Sequence, residues 1–506
     1  TNDGNIYTNE SGIEISETEE VAVYNQGYID GRVSVEGAYD AYFLNDEDGE
    51  VVVAAGGGNE DGGVYLEGFY NAEIVNNGTI TVHADETYGV HLRGSTVDLT
   101  NSGAIAASGE YSHAVVARSE AIATTTIYNS GTIEATGDDA DAIQASGPTV
   151  NITNAGTGVI SSSDGAAIYA SETKYVSIVN DGEITGDVLV SAHSEHEYGG
   201  TVEIAHTGSV DGNIDTSLGY SDDTILIDGG TLTGAVYTGY GIDEVTVTGE
   251  GVDLGQGIHA TESGIAPLGI VYNSAHLTFA HDDTIALDDG IGGWAVSHFD
   301  AVDIDSGKLV LDGVGIHTSY AEGTVSVAEG ATLGVTGEGA DIAGHLDVTG
   351  TLDIALGGHL DASGAVSFGE GNTFRTDISS GGAGVVYGDT VSFASGSTID
   401  VDVIGGLSGV VGDDILIASA DSENGVTDSG ARVEDNTILF DFLKVMNGGV
   451  IESGSADDLF LRVQLAETAE DTELDNDGGV NLVNIAKAID EYIATQPIDS
   501  PLTQWL

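Results

Sequence analysis

Carboxylates dominate the chemistry open to this chain. There are 84 Asp and Glu against 10 Lys and Arg, a net charge of −74. A glycosidase needs two carboxyls roughly 5–9 Å apart. With so many acids such pairs arise by chance, so they select no reaction. A polysaccharide lyase needs a basic proton abstractor and cations to neutralise a uronate, and an acidic polymer is a poor substrate for so acidic a surface. Nucleophilic machinery is missing: there is no Cys, no G-D-S-G loop, no G-x-S-x-G elbow and no H-E-x-x-H. The expectation is a protein that is not an enzyme.

Two patterns have the residue types of a metal site. His193 and His196 form an H-x-x-H pair beside Glu195 and Glu197 in S-A-H-S-E-H-E-Y-G-G. The same residues also fit an exposed, variable corner. Asp222 and Asp223 in G-Y-S-D-D-T-I-L, and Asp243 in G-Y-G-I-D-E-V-T, form half of a G-x-D-x-apolar calcium turn without its strict nonapeptide period. A-H-D-D-T-I-A-L-D-D-G is similar. Calcium takes ~6–8 oxygens, so Ca2+ at Asp222, Asp223 and Asp243 is the one cofactor expected, against the plain alternative that Asp favours turns.

Charge also limits the partners. Nucleic-acid affinity comes from clustered Lys and Arg releasing counterions, and here the six Arg and four Lys are scattered singly. Nucleic acid is excluded, and direct docking on an anionic membrane is equally disfavoured. No apolar run approaches the ~18 residues of a spanning helix, so no membrane insertion of this segment is expected. The opening T-N-D-G-N-I-Y-T-N-E-S-G has no signal-peptide pattern and reads as a mature terminus or as the boundary of an excised piece. Absence of Cys suits a large repetitive β core, which needs no disulfides.

The elements that would position any site come from a repeat. Gly is 75 of 506 residues, Pro only 4, and mean hydropathy is +0.04. That profile fits many short strands separated by tight turns. Asn25, Asn76, Asn101, Asn129, Asn154 and Asn180 recur in one motif, with His206 in the last copy. Apolar residues stand two positions before each, from Val23 to Ile204, and Gly stands two after, from Gly27 to Gly208. Four after comes Ile or Val, with Gly158 as the exception. From Asn76 the spacings are 25, 28, 25, 26 and 26, and the first gap of 51 holds one degenerate copy. A second apolar block follows twelve residues after the Asn, at Tyr88, His113, Asp141 and Ala166, and length varies only after it.

Alternation of this kind is strand periodicity. The N-x-G step is expected to be a corner at which Gly supplies a positive φ. A period near 25 residues without a helix-length segment makes each repeat one coil of a right-handed parallel β-helix, all-β, with coils ~4.8 Å apart. The Asn residues would then stack as a structural ladder.

From about residue 220 alternating strands continue between Gly/Asp turns, ending in the pair N-T-I-L-F-D-F-L-K-V and D-D-L-F-L-R-V-Q-L, a cap for an open solenoid end. Residues 466–479 read as an acidic linker. Val480 to Ala494 then places Leu482, Ile485, Ala486, Ile489 and Ile493 on one helical face, ended by Pro497 and Pro501.

This order of parts resembles the passenger of a monomeric type V secretion autotransporter of Gram-negative bacteria. Three stretches carry the likeness: the N-S-G-T-I coils at Asn101 and Asn129, the stretch S-V-A-E-G-A-T-L-G-V-T-G from Ser326, and the tail V-N-L-V-N-I-A-K-A-I-D-E-Y-I-A-T-Q-P. The resemblance implies a β-helix stalk at 1–325, a transport-associated repeat at 326–370, a cap acting as autochaperone at 371–465, the linker at 466–479 and a linker helix at 480–506. It further implies an outer-membrane β-barrel of the same precursor as partner, which this sequence lacks, and display on the bacterial cell surface or release after cleavage. The expected function is adhesion or self-association, with a cell-surface or glycan receptor. An S-layer-like or sheath-forming coat and a β-helix glycan hydrolase are the alternatives.

Overall fold

The computed structural model describes residues 1–465 except 2–3, 17–18, 55–61, 121–122, 193–199, 262–264, 267–268, 271–273, 320–322, 338, 408 and 438–439. The described chain is all-β and is a parallel β-helix. The H-x-x-H pair, the acidic linker and the tail helix all lie outside the described residues. The chain divides into two compact units, Thr1–Ala275 and His276–Leu506.

In the first unit each coil contributes three short strands, stacked in parallel on their counterparts. One column runs through Val90–Asn101, Thr124–Asn129, Thr149–Asn154, Tyr175–Asn180 and Gly200–His206. A second runs through Thr79–Val82, Ala104–Ala107, Thr132–Ala135 and Val159–Ser162. The third includes Val115–Ser119, Ile143–Ser146, Ile168–Thr173 and Val188–Ala192. Register keeps like on like: Leu99, Ile127, Ile152 and Ile178 pair in sequence, as do Ile105, Ile133, Ile160 and Ile184. All of these are buried, and each buried side chain contributes roughly 1.5–3 kcal/mol.

Two details depart from the repeat as read from sequence. The degenerate copy holds Asn45, which pairs with Asn25 on one side and Asn76 on the other. Its corner is longer, so Gly49 and Val51 take the Gly and apolar positions. The coil at Asn154 has the same long corner: Gly158 fills the glycine position in place of Gly156, and Ile160 points inward.

The corner glycines are also required for a different reason. Gly103, Gly131 and Gly208 are not among the residues with positive φ. A Cβ at Gly103 would lie 2.0 Å from the Gly78 carbonyl oxygen, and at Gly131 2.1 Å from that of Gly103. The stacked corners approach too closely for any side chain, so the column is selected by contact between coils rather than by turn conformation.

In the second unit the coils are again parallel through Thr373–Ser379, Val385–Phe393 and Thr398–Val403. Phe368 and Phe393 stack inside it with ring centres 4.7 Å apart. Pairing then turns antiparallel: Asp458–Leu465 lies between Asp414–Ala420 and Phe440–Met446. This is the expected C-terminal β cap, and it covers strand edges that would otherwise be free to pair. Lys444 and Asp428 form a buried ion pair within it, with the Lys444 ammonium also bonded to the Ala431 and Glu452 carbonyls.

Candidate functional site

The Asn residues form one continuous chain of amide hydrogen bonds. Each Nδ2 donates to the Oδ1 of the next coil: Asn25 to Asn45 at 2.7 Å, Asn76 to Asn101 at 2.8 Å, Asn129 to Asn154 at 2.9 Å and Asn154 to Asn180 at 2.9 Å. The same nitrogens face the corner carbonyls of Gly78, Gly103 and Gly131. All are buried, so the ladder satisfies backbone oxygens that would be costly to leave bare. Its role is structural. His206 ends it, with Nδ1 3.2 Å from Asn180 Nδ2 and Nε2 3.3 Å from the Thr231 carbonyl. Burial lowers the His206 pKa, partly offset by that carbonyl, so the network requires a neutral ring protonated at Nε2.

The carboxylates read as a calcium turn fall on two sides of the wall. Asp222 is exposed and accepts a hydrogen bond from the Ile242 amide. Asp223 and Asp243 point inward, in the column occupied one coil earlier by Val202. Asp223 is well held: the Ser221 hydroxyl donates to Oδ1 at 2.7 Å and the Thr216 hydroxyl to Oδ2 at 2.5 Å. Asp243 accepts one bond, from the Asp223 amide at 3.2 Å. Its Oδ2 and the Thr238 hydroxyl are both buried and make no hydrogen bond of standard geometry, although the Thr238 hydroxyl lies close enough to hold the Asp243 pKa back.

With both Asp223 oxygens occupied, one free carboxylate oxygen remains, far short of a calcium shell. Among the described residues no group of three or more His, Asp or Glu is arranged to hold a metal ion. The surroundings favour a proton on Asp243 instead. Burial raises Asp223 to about 6, held back by the Thr216 and Ser221 hydroxyls. Burial and then the Asp223 charge raise Asp243 to about 8. A proton on Asp243 makes that oxygen a donor, for which the Thr238 hydroxyl is the neighbouring acceptor.

Outward-facing residues provide the third feature. The corner after each coil's third strand is the variable one. Ala38 and Asp40 pair with Gly68 and Asn71, so Tyr39 stands opposite two residues, Phe69 and Tyr70. That is a bulge. Gly68 permits it, since a Cβ there would lie 1.9 Å from the Asn71 carbonyl, and the Ser95 hydroxyl holds the Phe69 carbonyl at 3.0 Å. Tyr39, Phe69 and Tyr70 are 51%, 66% and 56% exposed. Tyr39 stacks on Tyr70 at 5.6 Å, and Phe69 meets Tyr70 edge-on at 4.9 Å. Of the ten phenylalanines, Phe69 alone is exposed. Tyr24 and Tyr42 form a separate ring pair, 5.9 Å apart, on the strands that follow the corner. Glu20, Asp40 and Glu73 stand on the same face, and burial followed by the Glu73 charge raises the Tyr42 pKa.

Sequence reasoning passed over this patch. The signal present was G-F-Y-N in the variable segment, where two adjacent aromatics have no apolar alternation to place them inside.

Comparison with known proteins adds one finding. Residues 1–187 match the family model described as BigA fourth domain. This stretch contains the ladder from Asn25 to Asn180 and the whole aromatic patch. The class it supports is a bacterial surface protein of adhesin type. No curated protein and no solved structure matches the chain.

Proposed function

We propose that the chain is a cell-surface adhesin in which a regular β-helical body presents recognition residues at its variable corners. The observation that carries this reading is the exposed Tyr39–Phe69–Tyr70 cluster. A large exposed aromatic patch on a soluble surface marks an interaction site, and per-repeat insertions of a solenoid collect on its binding face. The finer reading is an autotransporter passenger, exported through an outer-membrane barrel of the same precursor. What supports it is the order of asparagine-ladder coils, glycine-rich coils and antiparallel cap.

The test is display of the full chain on a non-adherent Gram-negative host through a heterologous outer-membrane barrel. Attachment to epithelial monolayers and settling of the culture are compared with cells carrying the barrel alone. Increased attachment or settling at equal surface levels is expected. No increase in either contradicts the adhesin reading.

A further inference from the structure

The aromatic corner has a charge environment that narrows its partner. Tyr39, Phe69 and Tyr70 meet at the bulged corner of two successive coils, and Tyr24 and Tyr42 form a second ring pair on the strands that follow. Carboxylates of Glu20, Asp40 and Glu73 are interleaved with them. Arg93, which pairs with Glu67 on the adjoining coil, is 3.6 Å from Glu120. Aromatic faces attract cations through the ring quadrupole, and Arg and Lys lie over Tyr and Phe faces. A surrounding charge of −74 steers positively charged partners in and turns anionic ones away.

We infer that this corner binds a Lys- or Arg-bearing segment of a partner protein, the cationic side chains seated on Tyr39, Phe69 and Tyr70 and neutralised by Asp40 and Glu73. The inference rests on the adhesin reading and names the chemistry of its receptor. Rings carry the specificity, because each holds a cation in one place. The carboxylates carry the rate of encounter, because their field extends roughly a Debye length, ~8 Å at physiological salt.

The experiment uses the full chain and a fluorescein-labelled decapeptide of alternating Arg and Gly, with a Ser-Gly decapeptide as the uncharged control. Binding is read by anisotropy at two salt concentrations. The combined Tyr39→Ala, Phe69→Ala and Tyr70→Ala variant removes three exposed rings, and its far-UV circular dichroism verifies the fold. Loss of three ring contacts is expected to weaken binding about 10- to 100-fold. Phe69→Trp retains affinity, Phe69→Leu loses it, and Glu73→Gln reduces the dependence on salt.

Equal binding by the triple variant means the charge acts diffusely and overturns the inference. So does undiminished binding by Phe69→Leu, which makes the contact apolar, or equal binding of the Ser-Gly control. A neutral oligosaccharide such as maltoheptaose that binds the wild type with the same dependence on the three rings assigns the site to glycan and overturns it too. Adherence by displayed wild-type chain that is unchanged in the triple variant sinks this inference while leaving the adhesin reading in place. Ring-dependent peptide binding by a chain that confers no adherence does the reverse.

Discussion

Replacing Asp243 by Asn is expected to stabilise the first unit, and to do so only where the carboxyl is forced toward ionisation. The side chain is 1% exposed, with one oxygen facing only the Thr238 hydroxyl. Burial and the neighbouring Asp223 move its pKa from 3.8 to about 8. Between those values the folded chain binds a proton that the unfolded chain has released, so stability falls as pH rises through this window. At pH 7 the interval above 3.8 corresponds to roughly 4 kcal/mol at about 1.36 kcal/mol per pH unit, an upper bound. Asn retains the shape and an oxygen for the Asp223 amide, without the charge. The assay is thermal unfolding followed by circular dichroism at pH 4.5 and pH 8. A shift of about 2–4 °C per kcal/mol places the variant roughly 5–15 °C above wild type at pH 8, and close to it at pH 4.5. An equal gain at both pH values would locate the effect in packing. No gain at pH 8 would refute a buried carboxyl at Asp243 with a raised pKa.

Other parts of the structure make their own predictions. Asn101→Ala breaks the ladder in its middle, removing one of the three acceptors of the Asn76 amide and the donor to the Asn129 oxygen and to the Gly103 and Thr132 carbonyls, and should cost about 2–4 kcal/mol in urea unfolding. His206→Asn extends the ladder by one rung. Because burial lowers the His206 pKa, wild type loses stability as pH falls below the ordinary histidine value near 6.5, and the variant should lose this acid sensitivity when melting is compared at pH 5 and pH 7. Lys444→Met strands the Asp428 carboxylate inside the cap and should destabilise the second unit by about 3–5 kcal/mol, read by denaturant unfolding; pairing it with Asp428→Leu should restore most of the loss. Gly103→Ala sets a Cβ 2.0 Å from the Gly78 carbonyl oxygen and should disrupt stacking at that corner, seen as faster amide exchange there.

The coil architecture was legible because its signal is periodic. Alternating Val and Ile around each Asn specify strands, and constant spacing specifies stacking, so the ladder partners of Asn76 through Asn180 could be paired by counting. Counting failed where a corner lengthened. Asn45 and Asn154 each have three residues before their corner Gly in place of one, which hid the first and misassigned Gly156 in the second. Corner glycine was recognised but given the wrong cause, since close approach between coils is a property of the stack and of no single turn. Asp223 and Asp243 looked like turn carboxylates because Asp is common in turns. Yet S-D-D-T-I-L-I places Asp223 in phase with Ile225 and Ile227, and that phase puts it inside. The aromatic corner was invisible for the opposite reason: a bulge breaks alternation, so its residues carry no phase at all.

Adherence at matched surface levels, comparing cells that display the wild-type chain with cells that display the Tyr39→Ala, Phe69→Ala and Tyr70→Ala variant, tests the central claim most directly. The account predicts that wild-type cells adhere and that the variant cells fall to the level of the barrel alone. Adherence absent in both would contradict the adhesin reading, and adherence equal in the two would contradict its assignment to the aromatic corner.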